Sequence, residues 1–264
     1  MFEPNLLKDQ VAVITGGGTG IGLAIAQRLG SLGARIAIAS RNSEHLERGS
    51  NALRDVGVDA LAVQLDVRNP EQVDEMVLRT VKHFGSLDIL VNNAAGNFIC
   101  RAEDLTPNGW NAVIGIVLNG SFYCSRAVGQ YMIARKRGGS IVSILANYVW
   151  TGSPGTIHSA AAKAGVMSMT QTLAVEWAKH GIRVNAVAPG PIDASPGAAK
   201  QLWSTPDAVA RITAMIPGGQ WGTPNQVADA VAFLSAPQSS FISGEILTID
   251  GATWENRGTF GFML

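Results

Sequence analysis

Apolar residues fall into two alternating patterns along the whole of this 264-residue chain. Largely apolar runs at 11–14, 34–39, 60–65, 87–91, 140–145, 182–188 and 245–249, the first of them continuous, are too short for helices and do not alternate as strands with one wet face do. They predict strands buried on both sides. Between them, apolar positions three and four apart predict helices. One opens near residue 20, with Ile21, Ile25 and Leu29 on one face; others span 43–56, 70–84, 106–114, 115–135, 157–180 and 224–235. Asn69 and Pro70 supply a capping side chain and a preset first turn for the helix at 70–84. Such alternation requires right-handed crossovers, hence an α/β fold: a doubly wound parallel sheet of about seven strands with helices on both faces. The length suits a single domain over 1–264, and no internal repeat is present.

The polar and glycine-rich punctuation carries the second signal. Its clusters, at 15–22, 40–41, 66–68, 92–97, 143–148 and 188–192, all follow strands, and the C-terminal ends of parallel strands share one crevice. The first cluster reads Thr15-Gly16-x-x-x-Gly20-x-Gly22, on a strand–turn–helix that opens the domain. Glycine allows close backbone approach, and a helix N-terminus offers unpaired N–H groups to an anion. The expected ligand is a pyrophosphate held by Gly16, Thr19, Gly20, Ile21 and Gly22. At the second strand's end stand Ser40 and Arg41 where an acidic residue would bind a ribose 2′-hydroxyl. A hydroxyl and a guanidinium favour a 2′-phosphate and hence NADPH/NADP+, although an Arg here also suits a solvated helix head. Asp66 and Val67 are candidates for the adenine, and Asn93, Ala94, Ala95 and Gly96 are small enough to pass beneath the cofactor. The stretch 189–206 is rich in Pro, Gly and Ser, and a mobile substrate-side segment is expected around 190–220.

Charge and cysteine usage narrow the class. Lys plus Arg number 20 and Asp plus Glu 20, with no basic block, which argues against nucleic acid or an anionic membrane as partner. Nothing approaches the length of a membrane span, and the first ten residues lack the apolar core of a signal peptide. Cys100 and Cys124 read as buried, reduced thiols of a cytoplasmic protein. The histidines at 45, 83, 158 and 180 are scattered, so no metal is expected.

Three segments together, 15–22, 92–96 and 189–192 (Pro189-Gly190-Pro191-Ile192), resemble the short-chain dehydrogenase/reductase family over essentially the whole chain. The resemblance implies a Rossmann-type sheet and a nicotinamide cofactor contacted also by Lys163, Pro189, Gly190, Pro191 and Ile192. That family usually carries Tyr-x-x-x-Lys with a serine upstream. Here Lys163 is preceded four residues earlier by Ser159, and Ala146 stands near the usual serine position. Either the site is dead, leaving a cofactor-binding protein, or its chemistry differs. The strings 92–98, 116–120 and 159–166 resemble the 2,4-dienoyl-CoA reductase branch, in which the tyrosine lies earlier in the loop.

That resemblance implies catalytic roles for Tyr148, Asn97, Ser159 and Lys163. It also implies an acyl-CoA substrate touched by Arg68, Phe98 and Lys200, and a homotetramer. From the residues alone, Tyr148 suits packing beside Trp150 equally well, Asn97 a turn and Ser159 a helix start. The implied reaction is hydride addition to the end of a conjugated thioester, with charge collecting on the thioester oxygen. Such a reaction needs two hydrogen-bond donors aimed at that oxygen. The apolar residues Val113, Ile116, Val117, Val128, Met132, Val166, Met169 and Leu173 exceed what one sheet face requires, consistent with helix-mediated assembly.

Overall fold

The computed structural model describes residues 2–193 and 205–256. Lys200 and part of the expected mobile segment lie outside them. The sheet consists of β1 (Val11–Thr15), β2 (Arg35–Ser40), β3 (Ala60–Gln64), β4 (Ile89–Asn92), β5 (Gly139–Ile144), β6 (Ile182–Pro189) and β7 (Ile246–Ile249). All neighbouring strands are parallel, in the order β3-β2-β1-β4-β5-β6-β7. The order reverses between β1 and β4, so the crossovers leave a crevice above their C-terminal ends. Every residue of β1 and β4 is buried, including the polar Thr15 and Asn92 at their ends, as strands covered on both faces require.

The helices are α1 (Gly20–Ser31), α2 (Ser43–Arg54), α3 (Pro70–Phe84), α4 (Pro107–Ile114), α5 (Gly120–Arg135), α6 (Ile157–Trp177), α7 (Pro206–Met215) and α8 (Pro224–Ser235). One sheet face carries α1 and α8 over Ile14, Ile36, Ile38 and Val142. The other carries α3, α5 and α6 over Val11, Val13, Leu90 and Ile141. Asn69 caps α3 by accepting from Gln72 N at 3.0 Å, and Pro70 opens the helix, as the sequence predicts.

Four expectations need correction. The two helices expected at 106–114 and 115–135 are one continuous helix, Pro107–Arg135, joined by a π-helical turn at Gly115–Asn119. Contrary to the expectation that nothing approaches a membrane span, this 29-residue helix holds an 18-residue window with a mean hydropathy of 1.2, long and apolar enough to cross a membrane, but half of that window is buried inside the fold. Val113, Val117, Val128, Met132 and Val166, offered as surplus for assembly, are core residues, each 3% exposed or less. The helix needs them to cover the sheet and α6. Cys124 is buried, but Cys100, in the loop after β4 where its N–H donates to Gly155 O at 2.9 Å, is only half-buried. The sequence reading also gave no helix at Pro206–Met215, although Thr205 caps it and Pro206 starts it, the same Thr-Pro opening that α4 and α8 use.

Candidate active site

The crevice at the strand ends encloses about 1170 Å³. Its floor is a join between the ends of β1 and β4. The Thr15 hydroxyl accepts from Asn93 N and Ala94 N, each at 3.0 Å, and donates to Val91 O at 3.3 Å. Asn93 Nδ2 donates in return to Thr15 O at 2.9 Å. Gly16 has φ +66°, a conformation that favours glycine. Gly22 has no room for more than hydrogen: an added Cβ would lie 2.3 Å from Gly16 O and 2.5 Å from Asn93 Nδ2. Above this floor Thr19 precedes α1 and its side chain caps nothing, so the first turn, Gly20 to Gly22, meets the crevice with no side-chain cap on its N–H groups. A pyrophosphate fits that combination of tight glycine turn and uncapped N-terminus.

At the adenosine end, Ser40, Arg41, Asn42, Ser43, Glu44 and His45 line the wall with Leu65 and Val67. The α2 N-terminus is closed by its own cap, Asn42 Oδ1 accepting from His45 N at 3.1 Å. Asp66 and Arg68 do not line the crevice; they are bound to each other. The Arg68 guanidinium grips the carboxylate by Nε at 3.0 Å and by its terminal nitrogen at 2.5 Å. That bond, with help from Arg41 at 3.8 Å, holds the Asp66 carboxyl below its usual range and raises the Arg68 pKa. Phe98 is also off the lining, and its ring packs edge-on against His158, centroids 4.4 Å apart.

The opposite end gathers the remaining candidates. Ala94, Ala95, Gly96, Asn97, Tyr148, Ser159, Lys163, Pro189, Gly190, Pro191 and Ile192 all line the same cavity. The Tyr148 hydroxyl lies 2.9 Å from Ser159 Oγ. Burial pushes the Tyr148 pKa up, and the bond to Ser159 offsets part of that rise. Lys163, one helical turn after Ser159 on α6, is buried and donates to Ile144 O. Desolvation lowers its pKa to about 8. Asn97 Oδ1 accepts from Phe98 N at 2.9 Å, which commits the carbonyl end and leaves Nδ2 as the donor end.

A buried lysine, a phenol paired with a serine and a glycine cradle occupy one crevice at the switch point of the sheet. The family comparison agrees with that geometry. A model described as enoyl-(acyl carrier protein) reductase matches residues 16–252. The chain belongs to the short-chain dehydrogenase/reductase family. It is therefore an oxidoreductase that uses a nicotinamide dinucleotide. A probable 2,4-dienoyl-CoA reductase, (2E)-enoyl-CoA-producing, of Bacillus subtilis strain 168 is 46% identical over 255 residues, covering 96% of this chain and 100% of that one. A peroxisomal 2,4-dienoyl-CoA reductase, (3E)-enoyl-CoA-producing, of Arabidopsis thaliana is 40% identical, covering 97% and 88%. The crystal structure of a short chain dehydrogenase from Bacillus anthracis aligns with a TM-score of 0.88 at 46% identity, covering 94% of this chain and 97% of that one.

Several lining residues escaped the sequence reading. Ile212 and Met215 come from α7, Ile116 from the π turn, and Thr253 from beyond β7. The start of α7 was detectable in its Thr-Pro opening. A π turn has no comparable marker in the sequence, since it is defined by i→i+5 bonding rather than by a residue type.

Proposed function

We propose that this protein reduces 2,4-dienoyl-CoA thioesters to enoyl-CoA with NADPH, a step in the β-oxidation of unsaturated fatty acids. The observation that carries the reading is the phenol of Tyr148 set 2.9 Å from Ser159, in a crevice that also presents the Asn97 amide. The names of the relatives at 40–46% identity support it. Arg41 and Ser40 would hold the 2′-phosphate, and Lys163 the nicotinamide ribose. Arg68 and Lys200 would meet the coenzyme A portion, with Arg68 leaving its Asp66 partner to do so.

When bound, NADPH would supply a hydride to the far end of the conjugated system, and the dienolate so formed would take a proton at carbon from solvent to give the enoyl thioester. Tyr148 and Asn97 Nδ2 donate hydrogen bonds to the thioester oxygen, where charge collects. Such donors act by being fixed before the charge develops. Ser159 fixes the phenol, and the Asn97 backbone bond fixes the amide.

Assembly and location complete the proposal: a homotetramer in the cytoplasm. Phe122 on α5 and Val175 on α6, 46% and 79% exposed, are apolar residues available to a second copy. The test is a panel of acyl-CoA thioesters with NADPH, followed at the cofactor's absorbance. Turnover of 2,4-dienoyl-CoA is expected; turnover of 2-enoyl thioesters or simple ketones in its place would refute the reading. The enoyl-thioester arm matters because the matching family model carries that description.

A further inference from the structure

The turn that carries Tyr148 is tied to a part of the chain that the reaction scheme does not use. Asn147, 7% exposed, donates from Nδ2 to Asp250 Oδ2 at 3.0 Å. The same oxygen accepts from Trp254 N at 2.8 Å, and the Thr253 hydroxyl donates to Asp250 O at 2.5 Å. The Trp254 ring then meets the Trp150 ring, centroids 5.1 Å apart at 45°. One carboxylate at the end of β7 thus organises a hook, residues 250–254, that holds the turn on both sides of Tyr148. Backbone bonds at the turn run to β6, Asn147 N to Pro189 O at 3.0 Å, or within the turn, Gly152 N to Tyr148 O at 2.9 Å. The link to β7 is made by side chains.

Asp250 also abuts the cofactor side of the crevice. A Cβ added at Gly190 would lie 2.5 Å from Asp250 Cβ, so the two segments are in contact. Asp250 is 8% exposed, and burying a carboxylate is costly where an apolar pair would serve packing alone. Its bonds to Asn147 and Trp254 give it a specific task.

We infer that Asn147 and Asp250 are positioning residues, which hold the Tyr148 phenol at the place where it donates to the thioester oxygen. The inference rests on the reading of Tyr148 as that donor. A displacement of about 1 Å at such a group costs on the order of 100-fold in rate.

The experiment is a double-mutant cycle on the full-length enzyme with a 2,4-dienoyl-CoA and NADPH. Asn147→Ala is expected to lower kcat roughly 10- to 100-fold while the KM for NADPH stays near the wild-type value. In a Tyr148→Phe background the same change should cost nothing further, because the group it positions is gone. Asn147→Asp sets two carboxylates against each other and should be worse. Asn147→Asp combined with Asp250→Asn restores a donor–acceptor pair in the opposite sense and should recover most of the loss. If Asn147→Asp does not fold, Asn147→Ala and the cycle with Tyr148→Phe still decide. Wild-type kcat in Asn147→Ala, a loss that adds in full to that of Tyr148→Phe, or a swap no better than Asn147→Asp would overturn the inference while leaving Tyr148 as donor. Full activity in Tyr148→Phe itself would overturn both.

Discussion

Replacing Lys163 by Met should make the cofactor-free protein more stable and abolish its turnover. Lys163 is buried, and desolvation lowers its pKa from 10.5 to about 8. Keeping that ammonium charged inside the fold at pH 7 therefore costs roughly 3 kcal/mol. The sign follows from proton counting. Between about pH 8 and 10.5 the unfolded chain keeps the lysine proton and the folded chain does not, so stability rises with pH through that window. Below about pH 8 the folded protein carries the full cost of a buried ammonium. Methionine removes that cost and fills similar volume, but leaves Ile144 O without the lysine donor, a loss of about 1 kcal/mol. The net gain is about 2 kcal/mol at pH 7, or a rise in Tm of about 5 °C for a chain of this size. Calorimetry of wild type and Lys163→Met at pH 7 and pH 10 checks both parts. The variant should melt higher at pH 7, and the gap should shrink at pH 10. An unchanged or lower Tm at pH 7 would refute the reasoning, since the ammonium would then be adequately solvated or paired.

Four further outcomes are expected. Arg41→Ala should weaken NADPH by about 1–3 kcal/mol, the range of a charge-assisted hydrogen bond, with little change for NADH; titration with each cofactor checks it. Tyr148→Phe and Asn97→Ala should each lower kcat roughly 10²–10³-fold while NADPH affinity is retained, as measured by steady-state kinetics and cofactor titration. Gly22→Ala forces a methyl to within 2.3 Å of Gly16 O, and should destabilise by roughly 1–3 kcal/mol and impair dinucleotide binding, read by denaturant unfolding and titration. Light scattering at micromolar concentration should give the mass of four chains, and a monomer would count against the proposed assembly.

The sheet was legible because its strands are buried on both faces: β1 and β4 are buried at every position, and they are apolar up to their last residues, Thr15 and Asn92, which stand at the crevice end. The crevice was legible because a glycine or polar cluster follows the C-terminal end of strand after strand, although glycine turns such as Gly33, Gly85 and Gly181 also stand at the opposite edge. Charged side chains were harder to assign. Arg68 and Asp66 were read as separate contacts for coenzyme A and adenine, yet they lie two residues apart and bind each other. Sequence spacing says that two charges can meet but not which partner prevails. The apolar residues of α5 were misread for a related reason. A helix that lies between a sheet and another helix is buried on more than one side, and its core positions look like surplus when only the sheet is counted.

The exchange of residue types between loop and helix decides what the site can do. In the usual family arrangement the phenol stands four residues before the lysine on the helix, and the serine comes from the loop. Here Ser159 occupies the helix position and Tyr148 comes from the loop, with the two hydroxyls 2.9 Å apart. The phenol is therefore bonded to a serine, while the lysine spends a proton on Ile144 O. A phenol acidified by an adjacent ammonium can deliver a proton to a ketone oxygen near neutral pH. Burial instead pushes the Tyr148 pKa up, which keeps the phenol protonated. A neutral phenol that does not ionise is a poor proton source for a carbonyl and a good fixed donor to an enolate oxygen. On the proposed reading of Tyr148 as donor, the serine on the helix disfavours ketone reduction and suits conjugate reduction of a thioester.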